Sequence, residues 1–192
     1  MKKHIITSVL YTLITAVLLG IGYPLVVTGL AKVIFPKQAN GSLIERDGVL
    51  VGSKLIGQPF TGPGYFWSRP SAAGTGYDAS ASSGSNLAPT NAALGTRVTA
   101  SVQTLNPKGA NGAVPIDLVT TSASGLDPDI TPAAAAYQVT RVAAERHISE
   151  DAVQNLVASH VTPRQFGLLG EPRVNVLELN LDLDKLAPIA GK

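Results

Sequence analysis

Cysteine is absent from this chain of 192 residues, and its absence excludes several kinds of chemistry. Disulfide bonds, thiolate nucleophiles, and zinc or iron–sulfur sites held by cysteine all need that side chain. Charge is also scarce, because charged residues make up 15% of the chain and the formal net charge is only +2. No run of five or six lysines or arginines occurs, so the sequence predicts no nucleic acid as a partner.

Groups that could carry catalysis are few as well. The chain has three histidines, and neither a HExxH nor a GxSxG pattern occurs. His4 adjoins an apolar segment, whereas His147 and His160 fall near the ends of predicted helices, where a surface or dipole-complementing role is the simpler interpretation. No carboxylate has a histidine or cysteine at ligand spacing, so the sequence predicts no metal site.

The first long feature of the chain is apolar. Residues 5–31 contain no charge, and at about 1.5 Å per residue a helix of that length exceeds the roughly 30 Å hydrocarbon core of a bilayer. Pro36 disfavours helix at Phe35, so we expect the helix to end near Ile34. The alternative is a signal peptide cleaved after Ala31, but the apolar regions of such peptides run only about 7 to 15 residues. Residues 1–35 are therefore predicted to be an uncleaved membrane anchor.

Small residues recur every four positions along this helix. Such a stripe lets another transmembrane helix come close, although chance recurrence in a helix rich in small residues is the alternative interpretation. Pro24 removes a backbone donor and is expected to kink the helix. Lysines on both flanks leave the orientation in the membrane open. The predicted partner-contact residues of the stripe are Ser8, Thr12, Ala16, Gly20 and Pro24, with Thr28 at the next interval.

Residues 36–192 are predicted to form one α+β domain with about three helices and a small sheet. We expect a short hairpin within residues 42–55, with its turn at residues 45–48. We expect a helix from Thr90 to Asn106-Pro107. Its apolar stripe consists of Leu94, Val98, Val102 and Leu105.

The second half of the domain has clearer helix signals. Thr131 and Ser149 are predicted N-caps of two further helices, the first ending near His147. A short strand is expected at residues 116–119, and a last strand with one buried face near the C-terminus. In that last strand Leu177, Leu179, Leu181 and Leu183 alternate with polar residues, of which Glu178, Asp182 and Asp184 are predicted to face solvent.

Residues 58–90 are rich in glycine, serine and proline, yet they also hold half of the aromatic residues. A linker would not concentrate aromatics in this way. Filling of the core is one interpretation. The other is a patch that contacts a partner protein, since Tyr, Trp and Arg dominate interface hot spots. The predicted contact residues of this patch are Tyr65, Phe66, Trp67 and Arg69.

Several motifs, in order, resemble a known family. They are Tyr23-Pro24-Leu25, residues 38–42, residues 52–58, Gly64-Tyr65-Phe66, residues 69–72, residues 84–87, residues 122–127, Val174-Asn175 and Glu178-Leu179-Asn180. This set resembles the C subunit of the Kdp-type potassium-transporting P-type ATPase of prokaryotes. The similarity covers nearly the whole chain.

The resemblance implies a non-catalytic accessory subunit of an ATP-driven potassium uptake complex. Its partners would be a channel-like subunit, a P-type pump subunit and membrane lipid. Its N-terminus would be cytoplasmic and its domain would lie on the outer face of the bacterial inner membrane. The chain lacks the DKTGT sequence of such a pump and a TVGYG-like filter, so it is expected to be neither pump nor pore.

The family is described as a catalytic chaperone that raises the pump subunit's affinity for ATP. By resemblance, Ser122, Ser124, Gly125 and Gln138 would contact the nucleotide, and ATP bound through the pump subunit would be the one cofactor involved. A domain on the outer face cannot meet cytoplasmic ATP, so this implication conflicts with the expected topology. Two other function classes stay open, namely a membrane-anchored extracytoplasmic binding or sensor domain and, with less support, an anchored hydrolase.

Overall fold

The computed structural model describes residues 1–46, 48–106 and 112–188. The predicted turn residue Asp47 and the predicted helix terminator Pro107 lie outside these ranges. The chain is α+β and divides into two compact units, Met1–Ser53 and Lys54–Lys192. The predicted boundary at residue 35 marked only the end of the membrane helix.

The first unit begins with an apolar helix spanning Lys2–Ile34, whose mean hydropathy reaches 2.1. It is the one helix in the described ranges that is long and apolar enough to cross a membrane. It consists of α1 (Lys2–Val17), a π-helical turn (Leu18–Gly22) and α2 (Tyr23–Ile34). The predicted end at Ile34 is confirmed.

The π-helical turn lies directly before Pro24. In an α-helix the proline ring would clash with the carbonyl group four residues earlier, which here belongs to Gly20. A π turn changes the hydrogen-bond spacing from four residues to five, and such turns are a known cause of helix bending. The turn therefore gives a local reason for the irregularity that the sequence predicted at Pro24.

A single helical turn, α3 (Pro36–Ala39), leads from the membrane helix into the predicted hairpin. Its strands are β1 (Leu43–Arg46) and β2 (Val49–Ser53), and they pair antiparallel with an irregularity between Ile44 and Glu45. The hairpin prediction is confirmed, although the first strand continues into residues that were expected to turn.

The second unit is built around two helices that pack against each other and a small sheet. The helices are α5 (Pro132–Arg146) and α6 (Glu150–Ser159), and both predicted N-caps are confirmed because the Thr131 and Ser149 hydroxyls accept hydrogen bonds from the N–H groups of Ala134 and Ala152. The sheet has the order β3 (Asp129–Ile130), β5 (Arg173–Asn175), β4 (Val161–Thr162).

The core of this unit lies between the helices, the sheet and the last helix. It is formed mainly by small and β-branched side chains, which suits the alanine-rich sequence of α5. Its fully buried members include Phe66, Ile130, Val139, Val142, Val153, Val174, Leu179 and Leu183.

The predicted last strand is wrong, because residues Val176–Leu186 form helix α7. The leucines alternate, but the most deeply buried positions are Val176, Leu179, Asn180 and Leu183, which follow the period of a helix. The start signal was present, since the Asn175 side chain is an N-cap that accepts a hydrogen bond from the N–H of Glu178. Local capping therefore decided between two patterns that the leucines alone left ambiguous.

The acidic residues of α7 do not simply face solvent, which corrects a second prediction. Glu178 pairs with Lys54 at 2.7 Å and Asp184 with Arg146 at 2.8 Å. Asp182 contacts both Lys185 and His160. The helix thus places Glu178 and Asp184 beside cations from other parts of the domain.

The predicted strand at residues 116–119 is also wrong. A 3₁₀ helix forms at Ile116–Leu118, directly after Pro115. The Asp117 carboxylate accepts a hydrogen bond from the Thr131 N–H at 2.8 Å, which turns the chain toward the start of α5. A run of four residues is too short for periodicity to separate these alternatives.

The remaining helix, α4 (Ala92–Leu105), was predicted with nearly correct ends, but its apolar stripe is not buried. None of its residues is buried, and Val102 is 36% exposed. The side toward the domain carries Arg97 and Ser101 beside Leu105, which packs against the core. Of the predicted stripe, Leu94, Val98 and Leu105 are half-buried, and Val102 is exposed.

Candidate functional site

The aromatic segment Tyr65–Phe66–Trp67 is fixed by two side-chain amides rather than by a strand. Asn180 on α7 accepts from the Phe66 N–H at 2.8 Å and donates to the Phe66 carbonyl at 2.9 Å. Gln138 on α5 does the same for Trp67, at 2.7 and 3.1 Å. Both amides are 1% exposed, so each replaces the backbone partner that a neighbouring strand would supply.

The predicted contact residues of this segment differ in how far they are buried. Phe66 has no exposed surface and belongs to the core, which corrects its assignment as a contact for a partner. Tyr65, Trp67 and Arg69 are partly exposed, so contact with a partner stays a prediction for them.

Two arginines of α5 hold the start of the segment. Arg141 donates to the carbonyls of Pro63 and Tyr65, and its guanidinium lies 4.1 Å from the centre of the Trp67 ring. Burial lowers the pKa of Arg141 to about 10, while Glu145 opposes this shift. The group therefore stays charged at neutral pH, and its charge is balanced by carbonyl dipoles and the aromatic face.

Arg146 is the second of these arginines, and its side chain is only 1% exposed. It donates to the carbonyls of Gly64 and Ala187, both at 2.7 Å, and stacks 4.6 Å from the centre of the Tyr65 ring. Its Nη2 lies 2.8 Å from Asp184, an ion pair without the alignment of a hydrogen bond. No local pattern predicts the roles of Arg141 and Arg146 at this segment, since the carbonyls that they contact there lie 76 to 82 positions earlier in the chain.

A groove of about 460 Å³ opens between the aromatic segment and α4. Its walls are mostly apolar and aromatic, and Arg97 is the basic residue among them. The Nε of Arg97 is buried without a hydrogen-bond partner in the described ranges. The lining includes Phe60, Trp67, Tyr77, Leu105 and Leu118.

Tyr77 closes one wall of this groove. Its hydroxyl donates to the Arg69 carbonyl at 2.5 Å, and burial raises the pKa of that hydroxyl against the opposing effect of Ser68. The hydroxyl therefore stays protonated and acts as a donor rather than as a base.

The serine–glycine loop, residues 121–127, is fastened through its carbonyls. Those of Ser124, Gly125 and Leu126 accept hydrogen bonds at 2.6 to 3.0 Å. The donors are Ser82, Ser83, Ser71 and Gly57, all from the segment before the loop. The loop is thus a structural seam between two irregular segments.

Side chains complete this seam. Arg69 lies 3.2 Å from Asp127, an ion pair that joins the aromatic segment to the loop. The Ser124 hydroxyl accepts from the Leu126 N–H at 3.1 Å, as expected for a turn. Gly125 adopts φ +67° and is buried, and an added Cβ would lie 2.5 Å from the Ser83 carbonyl oxygen.

The four residues assigned to nucleotide contact by resemblance do not share a hydrogen-bonded cluster in the described ranges. Ser122 and Ser124 are neighbours, with their hydroxyls 3.4 Å apart. Gln138 is committed to Trp67, Ala134 and Arg141. In residues 1–46, 48–106 and 112–188, no three His, Cys, Asp or Glu side chains are grouped to hold a metal ion.

The small-residue stripe of the membrane helix is exposed along its length. The Ser8 hydroxyl bonds back to the His4 carbonyl at 2.7 Å, and nothing lies within 4 Å of a Cβ added at Gly20. Contact of Ser8, Thr12, Ala16, Gly20 and Pro24 with another helix stays a prediction, and the surface for it is open.

Comparison with known proteins identifies the family. Residues 5–185 match the family described as "KdpC: K+-transporting ATPase, c chain". A relative from Koribacter versatilis, named potassium-transporting ATPase KdpC subunit, is 60% identical and the match covers 98% of each chain. Relatives of the same name from Acidobacterium capsulatum and Gemmatimonas aurantiaca are 64% and 56% identical, over 96% and 97% of this chain and 99% and 95% of their own lengths. The chain therefore belongs to the KdpC family, the C chain of the potassium-transporting Kdp ATPase.

Proposed function

We propose that this chain is the non-catalytic accessory subunit of an ATP-driven potassium uptake complex, and that it stabilises assembly through its membrane helix. The family match carries the proposal. The helix supports it, because none of its most apolar stretch is buried in the chain and its small-residue stripe is free for other helices.

The partners in this proposal are the channel-like subunit and the P-type pump subunit of the same complex. The N-terminus lies in the cytoplasm and the domain on the outer face of the bacterial inner membrane, over the mouth of the channel-like subunit. Lysines flank the helix on both sides, so the orientation rests on the family resemblance alone.

Support of ATP use by the pump subunit is, in this proposal, indirect. Three successive carbonyls of the serine–glycine loop are occupied by bonds within the domain, and Gly125 is buried. The amide of Gln138 holds Trp67. Ser122, Ser124, Gly125 and Gln138 thus have structural roles, and ATP is bound through the pump subunit.

The variant Ser124→Ala tests this view of the loop. We expect assembly with the other subunits to be unchanged, and the free energy of unfolding to fall by no more than about 1 kcal/mol, because the two hydrogen bonds that are lost are exposed and one of them is long. Co-purification and thermal melting of the full chain in detergent measure the two effects. Labelling of this loop by a photoreactive ATP analogue inside sealed cells would contradict the outer-face topology.

The variant Gly20→Leu tests the role of the stripe. We expect at least a tenfold loss of co-purified partner subunits, because a bulky side chain prevents close approach of a second helix. Gly29→Leu is the matched control, since Gly29 lies outside the stripe and an added Cβ meets nothing within 4 Å. Equal losses for both variants would show that any added bulk matters, and retention of partners by Gly20→Leu would remove the stripe from the proposal.

The groove beside Trp67 favours a second candidate, an anchored extracytoplasmic binding or sensor domain. Its aromatic walls and the buried, unpartnered Nε of Arg97 suit a small molecule that carries a hydrogen-bond acceptor. Saturable binding of such a molecule by the full chain without partner subunits, abolished by Arg97→Leu, would favour this candidate.

A further inference from the structure

The connection between β4 and β5 projects three large apolar side chains into solvent. We call residues 163–172 the β-finger. At its tip Phe166 is 88% exposed, Leu168 76% and Leu169 56%. Single exposed apolar residues are ordinary, whereas three at one loop tip form a patch with a function.

The β-finger has a defined shape. Gln165 and Leu169 form a β-bridge, and the N–H groups of Gly167 and Leu168 donate to the carbonyls of Arg164 and Gln165 at 3.0 and 3.2 Å. Below the tip, Arg164 and Glu171 form an ion pair at 2.5 Å. The apolar side chains are thus presented on a fixed frame, so binding would cost little loop ordering.

Phe166 adopts this position at an energetic cost. Its φ of +54° lies in the left-handed region, which costs a non-glycine residue on the order of 1–2 kcal/mol. In the free chain the backbone hydrogen bonds of the turn hold this conformation, whereas the Phe166 side chain itself is almost fully solvated. A surface that covers Phe166 would add the contacts that its side chain lacks.

The chemistry of the tip indicates what that surface is. The ion pair at the base leaves the β-finger without net charge, and it has no free basic residue to meet lipid headgroups. The carbonyls of Phe166, Gly167 and Leu168 have no partner within the described chain. Such groups cannot be satisfied by hydrocarbon, whereas a folded protein can supply donors.

The size of the tip limits the partner further. An aromatic side chain carries roughly 150–250 Å², so three large side chains offer a few hundred Å². Stable interfaces bury roughly 1,200 Å² or more in total, so two copies meeting tip to tip would fall short. A partner that already binds the membrane helix needs less buried area at the tip, because the second contact then forms at high effective concentration.

We infer that the tip of the β-finger inserts into an uncharged apolar socket on the protein subunit to which the membrane helix anchors this chain. The inference rests on the proposed function as an accessory subunit. Phe166 is the central contact, and the socket supplies backbone or side-chain donors to the carbonyls at the tip.

The variant Phe166→Asn separates binding from folding. Asparagine tolerates the left-handed conformation, so the full chain in detergent should melt at the same or a higher temperature. Loss of the aromatic side chain should make the chain dissociate from co-expressed partner subunits about tenfold to hundredfold faster during washing. Ile116→Asn is the control, because Ile116 is 69% exposed in the same domain, and it should leave dissociation unchanged.

The outcomes distinguish the two proposals. If the unmodified chain fails to co-purify with the pump and channel-like subunits, the proposed function fails. If the unmodified chain is retained and Phe166→Asn dissociates at the same rate, the proposed function stands and the socket does not exist.

A fluorescent label tests the nature of the surface. The chain has no cysteine, so Leu168→Cys gives one site for an environment-sensitive dye. A blue shift that requires the partner subunits supports the socket. A blue shift in vesicles of phosphatidylethanolamine and phosphatidylglycerol without partners, or one that grows with the concentration of this chain alone, overturns it in favour of the bilayer or a second copy.

Discussion

Replacement of Asn180 by leucine is expected to destabilise the soluble domain by roughly 2–6 kcal/mol. The substitution leaves the N–H and carbonyl of Phe66 buried without partners, at about 1–3 kcal/mol each. In a domain of this size the melting temperature of the full chain should fall on the order of 10 °C. Circular dichroism of the chain in detergent measures the change.

The reference variant for Asn180→Leu is Asn155→Leu on α6. Asn155 is exposed and forms none of the hydrogen bonds described for Asn180. The stability of the Asn155→Leu variant should therefore stay within about 0.5 kcal/mol of that of the unchanged chain. Equal melting temperatures for the two variants would mean that water replaces the Asn180 amide at Phe66.

Replacement of Gly125 by alanine is the second large effect, expected at about 2–5 kcal/mol of lost stability. Alanine at φ +67° costs roughly 1–2 kcal/mol. Its Cβ would also lie 2.5 Å from the Ser83 carbonyl oxygen and 2.7 Å from the Ala73 nitrogen, and such overpacking adds about 1–3 kcal/mol. Both neighbours are backbone atoms, so the seam must open for the side chain to fit.

Gly95→Ala is the control, and it is expected to raise the stability that Gly125→Ala lowers. Gly95 lies within α4 with nothing within 4 Å of an added Cβ, so alanine should raise stability by up to about 1 kcal/mol.

Loss of potassium uptake in Gly125→Ala together with a lower melting temperature would trace that loss to folding. Loss of uptake with unchanged stability would instead support a direct role of the loop at the nucleotide.

The features that could be predicted from the sequence depend on local interactions. The charge-free run fixes the membrane helix, and the caps Thr131 and Ser149 fix α5 and α6, because each signal lies within one turn of the element it starts. Helix α7 was missed because alternating leucines also fit the period of a strand. The capping pair Asn175 and Glu178 was the better guide.

The features that could not be predicted depend on distant contacts. Asn180 binds Phe66 across 114 positions, and Arg146 binds Gly64 across 82. No single sequence shows such pairs. The exposure of Phe166 was equally hidden, since an aromatic residue close to two leucines fits a core position as well as a surface one.

The π-helical turn at Leu18–Gly22 changes what the stripe of small residues means for neighbouring helices. Each residue of an α-helix advances the face by about 100°, and a π turn advances it by less. Residues four apart on an α-helix drift sideways by about 40°. The smaller advance through the π turn offsets most of this drift between Ala16 and Pro24, so the two residues lie on nearly the same face. The turn thereby keeps the small residues on one continuous side of the helix, so a single neighbouring helix could follow that side past the proline.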